Sequence, residues 1–357
     1  MKRLLPLIIA VLIVAGWPPF FARAAESVLS PAPEGSFSIV VIPDTQHYLG
    51  RGTKAQPTST NEVTNSVLDT HTRWVVDNLQ RQRIVFVTHV GDLVDRNVPD
   101  QWAVARRCMD RLHNRVPYGI APGNHDMKDD GNTSLFQAHF GAARFAGMPW
   151  YGGAFNHPGD PAISGNGANS FQLFSAAGME FVILHLECNA PDDVLAWAGG
   201  VLDTHSKRRA IVTTHMGLGP LQKPKRPEDF VTAPKGRMQW KKTHGACGNT
   251  PQQMWDKCFR RHANLFLILS GDQSRTQAMR LVSTNDHGKP VHEVLSDYMQ
   301  DRDGYWLRIC RFLPAANRIE VKTFDSRDGR LCPGTKLLPD AAQHQFSIAC
   351  EMTPIQP

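Results

Sequence analysis

Five apolar runs in this chain are each closed by a side chain that can bind a metal or move a proton. SFSIVVIPDTQ ends in Asp44 and Gln46, IVFVTHVGD in Asp92, PYGIAPGNHD in Asn124 and His125, AIVTTHM in His215, and LFLILSGD in Asp272. Runs of this length, punctuated by Gly and Pro, read as strands buried on both faces. Helical patterns stand between them. SVLDTHTRWVVDNLQ spaces Val67, Trp74, Val75 and Leu79 at helical intervals, and PDQWAVARRCMDRL does the same with Trp102, Ala105, Met109 and Leu112. DDVLAWAGGVLDTH and PQQMWDKCFRRH repeat the signal. With no internal repeat and no low-complexity block, the alternation reads as one continuous α/β domain. In such sheets the first polar residue beyond a strand's carboxyl end is where sites are built. One such residue alone is more often a turn or helix cap, since Asp and Asn favour both; five at the ends of five runs point to a shared site. Asp44 and Gln46, two apart on extended chain, face one side and can reach one ion.

The ends of the chain read differently. MKRLLPLIIAVLIVAGWPPFFARA has two basic residues, an apolar stretch from Leu4 to Gly16 and a small-x-small site at Ala22-Arg23-Ala24. Residues 1–24 are therefore read as a signal peptide and 25–35 as a linker, with no membrane span after cleavage and a periplasmic or secreted mature protein. Lys2, Arg3 and Arg23 leave with that segment and no acid does, so the formal excess of +6 becomes +3. A charge this small gives no case for nucleic-acid binding, and no nucleic-acid-binding module is evident. Seven cysteines in an oxidising compartment suggest disulfides, with Cys247–Cys258 and Cys332–Cys350 as candidates by proximity. The main domain is expected over 36–330. After residue 290 the strands VHEVLSD, YWLRICRFL and RIEVKTF suggest antiparallel additions to the sheet system. Residues 331–357 form a C-terminal extension with one strand, QFSIACE. Between 217 and 250 lies an aperiodic stretch whose seven Lys and Arg outnumber its two acids, either a solvated excursion or a lid.

The strand-end residues resemble the calcineurin-like metallophosphoesterase family, whose pattern is D-x-H, G-D-x-x-D, G-N-H-D/E, a lone His and G-H-x-H. The motifs here are D44-T-Q46, G91-D-L-V-D95, G123-N-H-D126, H215 and G271-D-Q-S274, and PDTQ marks a bacterial branch. The resemblance implies a four-layer α/β/β/α sandwich of two mixed β-sheets flanked by helices. It implies hydrolysis of a phosphate mono- or diester by a metal-bound hydroxide at a dinuclear site, with divalent or trivalent transition metals, Fe, Mn or Zn, up to two ions. Residue by residue, Asp92 bridges the ions, Asp44 and Gln46 bind the first, and Asn124 and His215 bind the second. His125 faces the leaving group as the catalytic histidine, and Asp126 orients its ring. Asp95 is read as a supporting residue, and His47, His89 and His244 as core or loop histidines.

The last motif departs from the pattern. Asp272 and Ser274 stand where the family has two histidines. Asp272 can ligate the second ion, but its added negative charge weakens that ion as a Lewis acid. Neutral Ser274 is a poor ligand, so the first-ion site is expected to be weakened. Two readings follow: a secreted metal-dependent phosphoesterase, or a degenerate relative that binds a phosphorylated or anionic ligand without turnover.

Overall fold

Strand β1 (Phe37–Ile42) is buried along all six residues, which demands cover on both faces. Phe37, Ile39 and Val41 point into one core and Val40 and Ile42 into another. The computed structural model describes residues 27–301 and 303–352. The expected signal peptide lies outside the described residues.

In chain order the remaining strands are β2 (Ile84–His89), β3 (Tyr118–Ile120), β4 (Tyr151–Ala154), β5 (Ser170–Ala176), β6 (Met179–Leu186) and β7 (Arg209–Met216), then β8 (Leu218–Pro220), β9 (Lys235–Arg237), β10 (Leu265–Gly271) and β11 (Ala278–Thr284), and last β12 (Pro290–Ser296), β13 (Trp306–Leu313), β14 (Arg318–Asp325) and β15 (Gln345–Ala349). One sheet has the order β15-β14-β13-β1-β2-β3 and the other β11-β12-β10-β7-β6-β5-β4, with β8 and β9 forming a small ribbon. Both large sheets are mixed: β1, β2 and β3 run parallel in the first, and β6, β7, β10 and β12 in the second.

Helices α1 (Ser66–Asp77), α2 (Pro99–Met109), α3 (Ser134–Phe140) and α4 (Ala142–Phe145) precede α5 (Asp192–Thr204), α6 (Asp229–Thr232) and α7 (Pro251–Lys257). The first four cover the outer face of the first sheet through Leu68, Val75, Trp102, Phe136 and Phe145. Helices α5 and α7 cover the second through Val194, Leu195, Leu202 and Trp255. Between the sheets, Phe37 stacks on Phe312 and Phe174 on Phe181, at centroid separations of 4.6 and 5.0 Å. The result is an α/β/β/α sandwich.

Three expectations need correction. VHEVLSD is not a purely antiparallel addition, because β12 joins the second sheet parallel to β10 and only its other neighbour, β11, is antiparallel. All seven cysteines are free thiols. Cys332 and Cys350 are buried in separate clusters, and Cys247 is exposed whereas Cys258 is buried, so neither suggested pair meets. Finally, 217–250 divides in two: residues 221–237 stay at or near the surface, whereas Met238, Trp240, Thr243, His244 and Asn249 are buried, with the Met238 N–H bonded to the Gly217 carbonyl and the Gln252 N–H to the Met238 carbonyl.

Candidate functional site

The parallel strands of the two sheets deliver their carboxyl ends to one place, as open α/β sheets do. Asp44 follows β1, Asp92 follows β2, His215 ends β7 and Asp272 follows β10. Asp44 and Asp92 are 5% and 3% exposed, so neither carboxylate is satisfied by bulk water. Asp92 and Asp272 are bent into the left-handed region, at φ 53° and 74°. Such backbone is sparsely populated for non-glycine residues and is held by its surroundings. Two glycines let the strand ends close up: a Cβ on Gly123 would lie 2.1 Å from Asp92 Oδ1, and one on Gly271 would lie 2.1 Å from Asp44 Oδ1. The Asp272 N–H donates to Asp44 Oδ2 at 3.2 Å, and the His125 N–H donates to Asp92 Oδ1 at 2.9 Å.

His215 is the pivot. Its Nδ1–H donates to the Val90 carbonyl at 2.9 Å, which leaves Nε2 to face the acids. Nε2 lies 3.2 Å from Asp92 Oδ1 and 3.4 Å from Asp272 Oδ1, yet it is buried with no properly aligned hydrogen bond to either. Ligand atoms of Asp44, Asp92 and His215 lie within 4.8 Å of one another. A ring nitrogen aimed at two carboxylates while the other nitrogen is fixed on a backbone carbonyl is how metal-ligating histidines are held. The donor set, two carboxylates and an imidazole, fits a transition-metal ion.

The electrostatics say the same. Asp44 is pushed well above the ordinary carboxylate range, first by burial and then by Asp297, with Asp92 and Asp272 adding to it. Burial alone would lower His215, but Asp92 and Asp44 draw a positive charge onto it and hold it well above the usual imidazole range. For Asp92 the burial penalty is outweighed by the His215 ring and the His125 N–H, so it stays well below the usual range. A cation between these groups would relieve both the repulsion and the proton on His215.

The other expected residues divide. Gln46 reaches the cluster through its amide nitrogen, which donates to Asp92 Oδ2 at 2.5 Å. Asn124 and Asp272 face Lys242: its Nζ lies 3.3 Å from Asn124 Oδ1 and forms a short ion pair with Asp272 Oδ1. The His125 Nδ1–H donates to the Asp95 carbonyl at 2.7 Å, and the side chain is 30% exposed. Asp126 does not orient that ring. Its buried carboxylate accepts the N–H groups of Gly123, Leu93 and Val94 at 2.9, 3.2 and 3.1 Å, because the turn at Gly123–Asp126 directs it back beneath the G-D-x-x-D loop. Ser274 opens a turn after left-handed Asp272, so the two do not share one face of an extended strand. His244 is buried against Glu187, with Nε2 3.5 Å from Oε2.

Two residues escaped the sequence reading. Lys242 lies at the end of the M238-x-W240-x-K242 alternation, whose buried Met238 and Trp240 signal a chain docked on the body. Asp297 follows β12 as the acid closing a sixth apolar run, and it is buried and pushed up to about 7, first by burial and then by Asp272 and Asp92 against the opposing Met299 N–H and His215.

The sequence profile of the family described as calcineurin-like phosphoesterase matches residues 37–246. The uncharacterized protein YvnB of Bacillus subtilis strain 168 is 27% identical over 305 residues, 82% of this chain, and the chain spans about a fifth of that relative's length, 20%. Similar solved structures include a 5'-nucleotidase precursor from Thermus thermophilus, at 13% identity and a TM-score of 0.41 over 89% of this chain and 55% of that one. Another is the calcineurin-like phosphoesterase YfkN from Bacillus subtilis, at 13% identity and 0.38 over 83% and 87%.

Proposed function

Because the chain belongs to the calcineurin-like phosphoesterase family, we propose that it hydrolyses phosphate mono- or diesters with an Fe, Mn or Zn ion held by Asp44, Asp92 and His215. The observation that carries this reading is the buried His215 Nε2, unbonded and facing Asp92 and Asp272. When bound, such an ion supplies Lewis acidity toward a phosphoryl oxygen and lowers the pKa of coordinated water. The chain's own residues do the rest. The Val90 carbonyl keeps a proton on His215 Nδ1, so Nε2 is the nitrogen that would hold an ion. Gln46 and the His125 N–H hold the two oxygens of Asp92 in place. The Asp95 carbonyl holds the His125 ring by Nδ1, leaving Nε2 to give a proton to a leaving-group oxygen.

Binding of an anionic ligand without turnover is the competing reading, and the Lys242 ion pair with Asp272 is what favours it. Full-length protein stripped with chelator and assayed on aryl phosphate mono- and diesters, with Mn, Zn or Fe restored, separates the two. Expected is metal-dependent turnover, lost together with metal in Asp92→Ala. In His125→Ala turnover should fall on the order of 10²–10⁴-fold with metal retained. Phosphate binding with no turnover under any metal would establish the competing reading.

Export is part of the proposal and rests on MKRLLPLIIAVLIVAGWPPFFARA alone. N-terminal sequencing of native material is expected to begin near Ala25, and an intact Met1 on soluble cytoplasmic protein would contradict it.

A further inference from the structure

We propose that the Lys242 ammonium is a resident cation that takes the place of a second metal ion, so that the chain holds one ion and not two. The inference rests on the metal reading above and concerns the other half of the same acid cluster. A second ion needs oxygen ligands beyond those of Asp44 and Asp92, and the site offers Asn124 Oδ1 and Asp272 Oδ1. The Lys242 Nζ stands on both of these atoms. Asp272 Oδ1 is also the oxygen 3.4 Å from His215 Nε2, so the ammonium and the His215 ring share one carboxylate oxygen. The other oxygen, Oδ2, accepts the Gln273 amide at 2.8 Å. An ion could reach Asp272 and Asn124 only by displacing Lys242 from the same atoms, since two cations on one oxygen repel at contact distance.

The lysine is placed there by a built support. Although its backbone lies at the surface, the side chain is 28% exposed and its charged end reaches the acids. Its N–H donates to Asn189 Oδ1 at 2.8 Å, and the next N–H, of Thr243, reaches the same oxygen at 3.3 Å. The Thr243 hydroxyl donates to the Cys188 carbonyl at 2.7 Å, and Asn189 Nδ2 donates to the Asn249 carbonyl at 2.9 Å. Asn189 holds this arrangement from a left-handed backbone, φ 56°. Trp240 lies under the ammonium, 5.9 Å from Nζ to the ring centroid, and its Nε1–H is tied to the Pro220 carbonyl. Other cations of the segment are engaged away from the cluster, Arg226 with Asp229 and Arg237 with Glu293. The acid at 272 and the lysine at 242 then account for each other: a carboxylate that would weaken a divalent ion is matched by a monovalent cation carried by the chain.

The test is a count of metal ions. Full-length protein, stripped with chelator and titrated with Mn²⁺ or Zn²⁺ by calorimetry, with bound metal counted by mass spectrometry, should hold one ion per chain. Lys242→Met, which removes the ammonium and keeps the stem, should hold two, its second ion binding at least tenfold tighter than any second event in the wild type. Lys242→Arg should stay at one. Lys242→Gln, which retains a hydrogen-bond donor without charge, serves where Lys242→Met does not fold, and it too should reach two. Two tight ions in the wild type would overturn the inference and leave the phosphoesterase reading standing, as would one ion in folded Lys242→Met or Lys242→Gln. No ion in any of the proteins would overturn the metal reading itself.

Discussion

Removal of the Asp126 carboxylate would leave the N–H groups of Leu93, Val94 and Gly123 buried without an acceptor. These bonds tie the loop carrying Asp92 to the loop carrying Asn124 and His125. Asp126→Ala should therefore destabilise the fold by on the order of 2–4 kcal/mol, read as a lower denaturant midpoint with unchanged slope, while Asp126→Asn, whose oxygen still accepts, should lose less. Equal midpoints for Asp126→Ala and wild type would mean that the clamp contributes nothing. The residue also marks the limit of reading a sequence. G-N-H-D places Asp126 beside His125, and adjacency suggested that it acts on the ring, but the turn reverses its direction, and turn direction is not written in residue order. Asp44, Asp92 and His215 were legible for the opposite reason: each follows a buried strand whose end fixes where the side chain goes.

The segment Met238–Asn249 is the element whose role the sequence reading left open. Across 217–250 Lys and Arg outnumber acids, which fits a solvated excursion as well as a lid, but charge says nothing of which lysine turns inward. That is decided by Met238 and Trp240, which dock the chain, and by Asn189, which accepts the N–H groups of Lys242 and Thr243. Asn189→Ala removes that acceptor and the donor to the Asn249 carbonyl. Trypsin should then cut at Lys241 or Lys242 about tenfold faster, corresponding to roughly 1.4 kcal/mol of easier local opening, with a smaller change in global unfolding. Unchanged cleavage would show that Asn189 does not hold the segment. Strands and long helices were legible because their periodicity is their packing. Strand β11 was not, because alternate residues along it, from Met279 to Thr284, lie toward solvent at the sheet edge.

Across the whole molecule the two sheets meet through a mostly apolar core with a polar bridge in it. Thr88 of β2 bonds both the His185 Nε2 of β6, at 2.9 Å, and the Thr213 hydroxyl of β7, at 2.8 Å. Burial lowers His71, His89 and His185 to about 3 each. Below about pH 6.5 the unfolded chain takes up protons on these rings that the folded chain refuses, so each contributes stability that is lost as pH falls from about 6.5 toward 3, at about 1.4 kcal/mol per pH unit. Asp126 and Asp297, pushed up to about 7, work in the opposite direction between about 3.8 and 7, so the comparison must be between variants. His185→Gln should gain on the wild type by about 1.4 kcal/mol per pH unit as pH drops below about 6.5; parallel pH profiles would contradict a neutral buried His185. The layered architecture was legible because one continuous alternation of strand and helix admits few arrangements, whereas the joining of β12 to the second sheet depended on long-range pairing that no local pattern encodes. Both the metal site and the role of Lys242 turn on where an ion binds, and anomalous diffraction from Mn²⁺-soaked crystals answers that directly. One peak is expected, coordinated by Asp44, Asp92 and His215 Nε2, with Lys242 still on Asp272; a peak held by Asn124 and Asp272 with Lys242 displaced, or no peak among these residues, would contradict the metal reading or the role of Lys242.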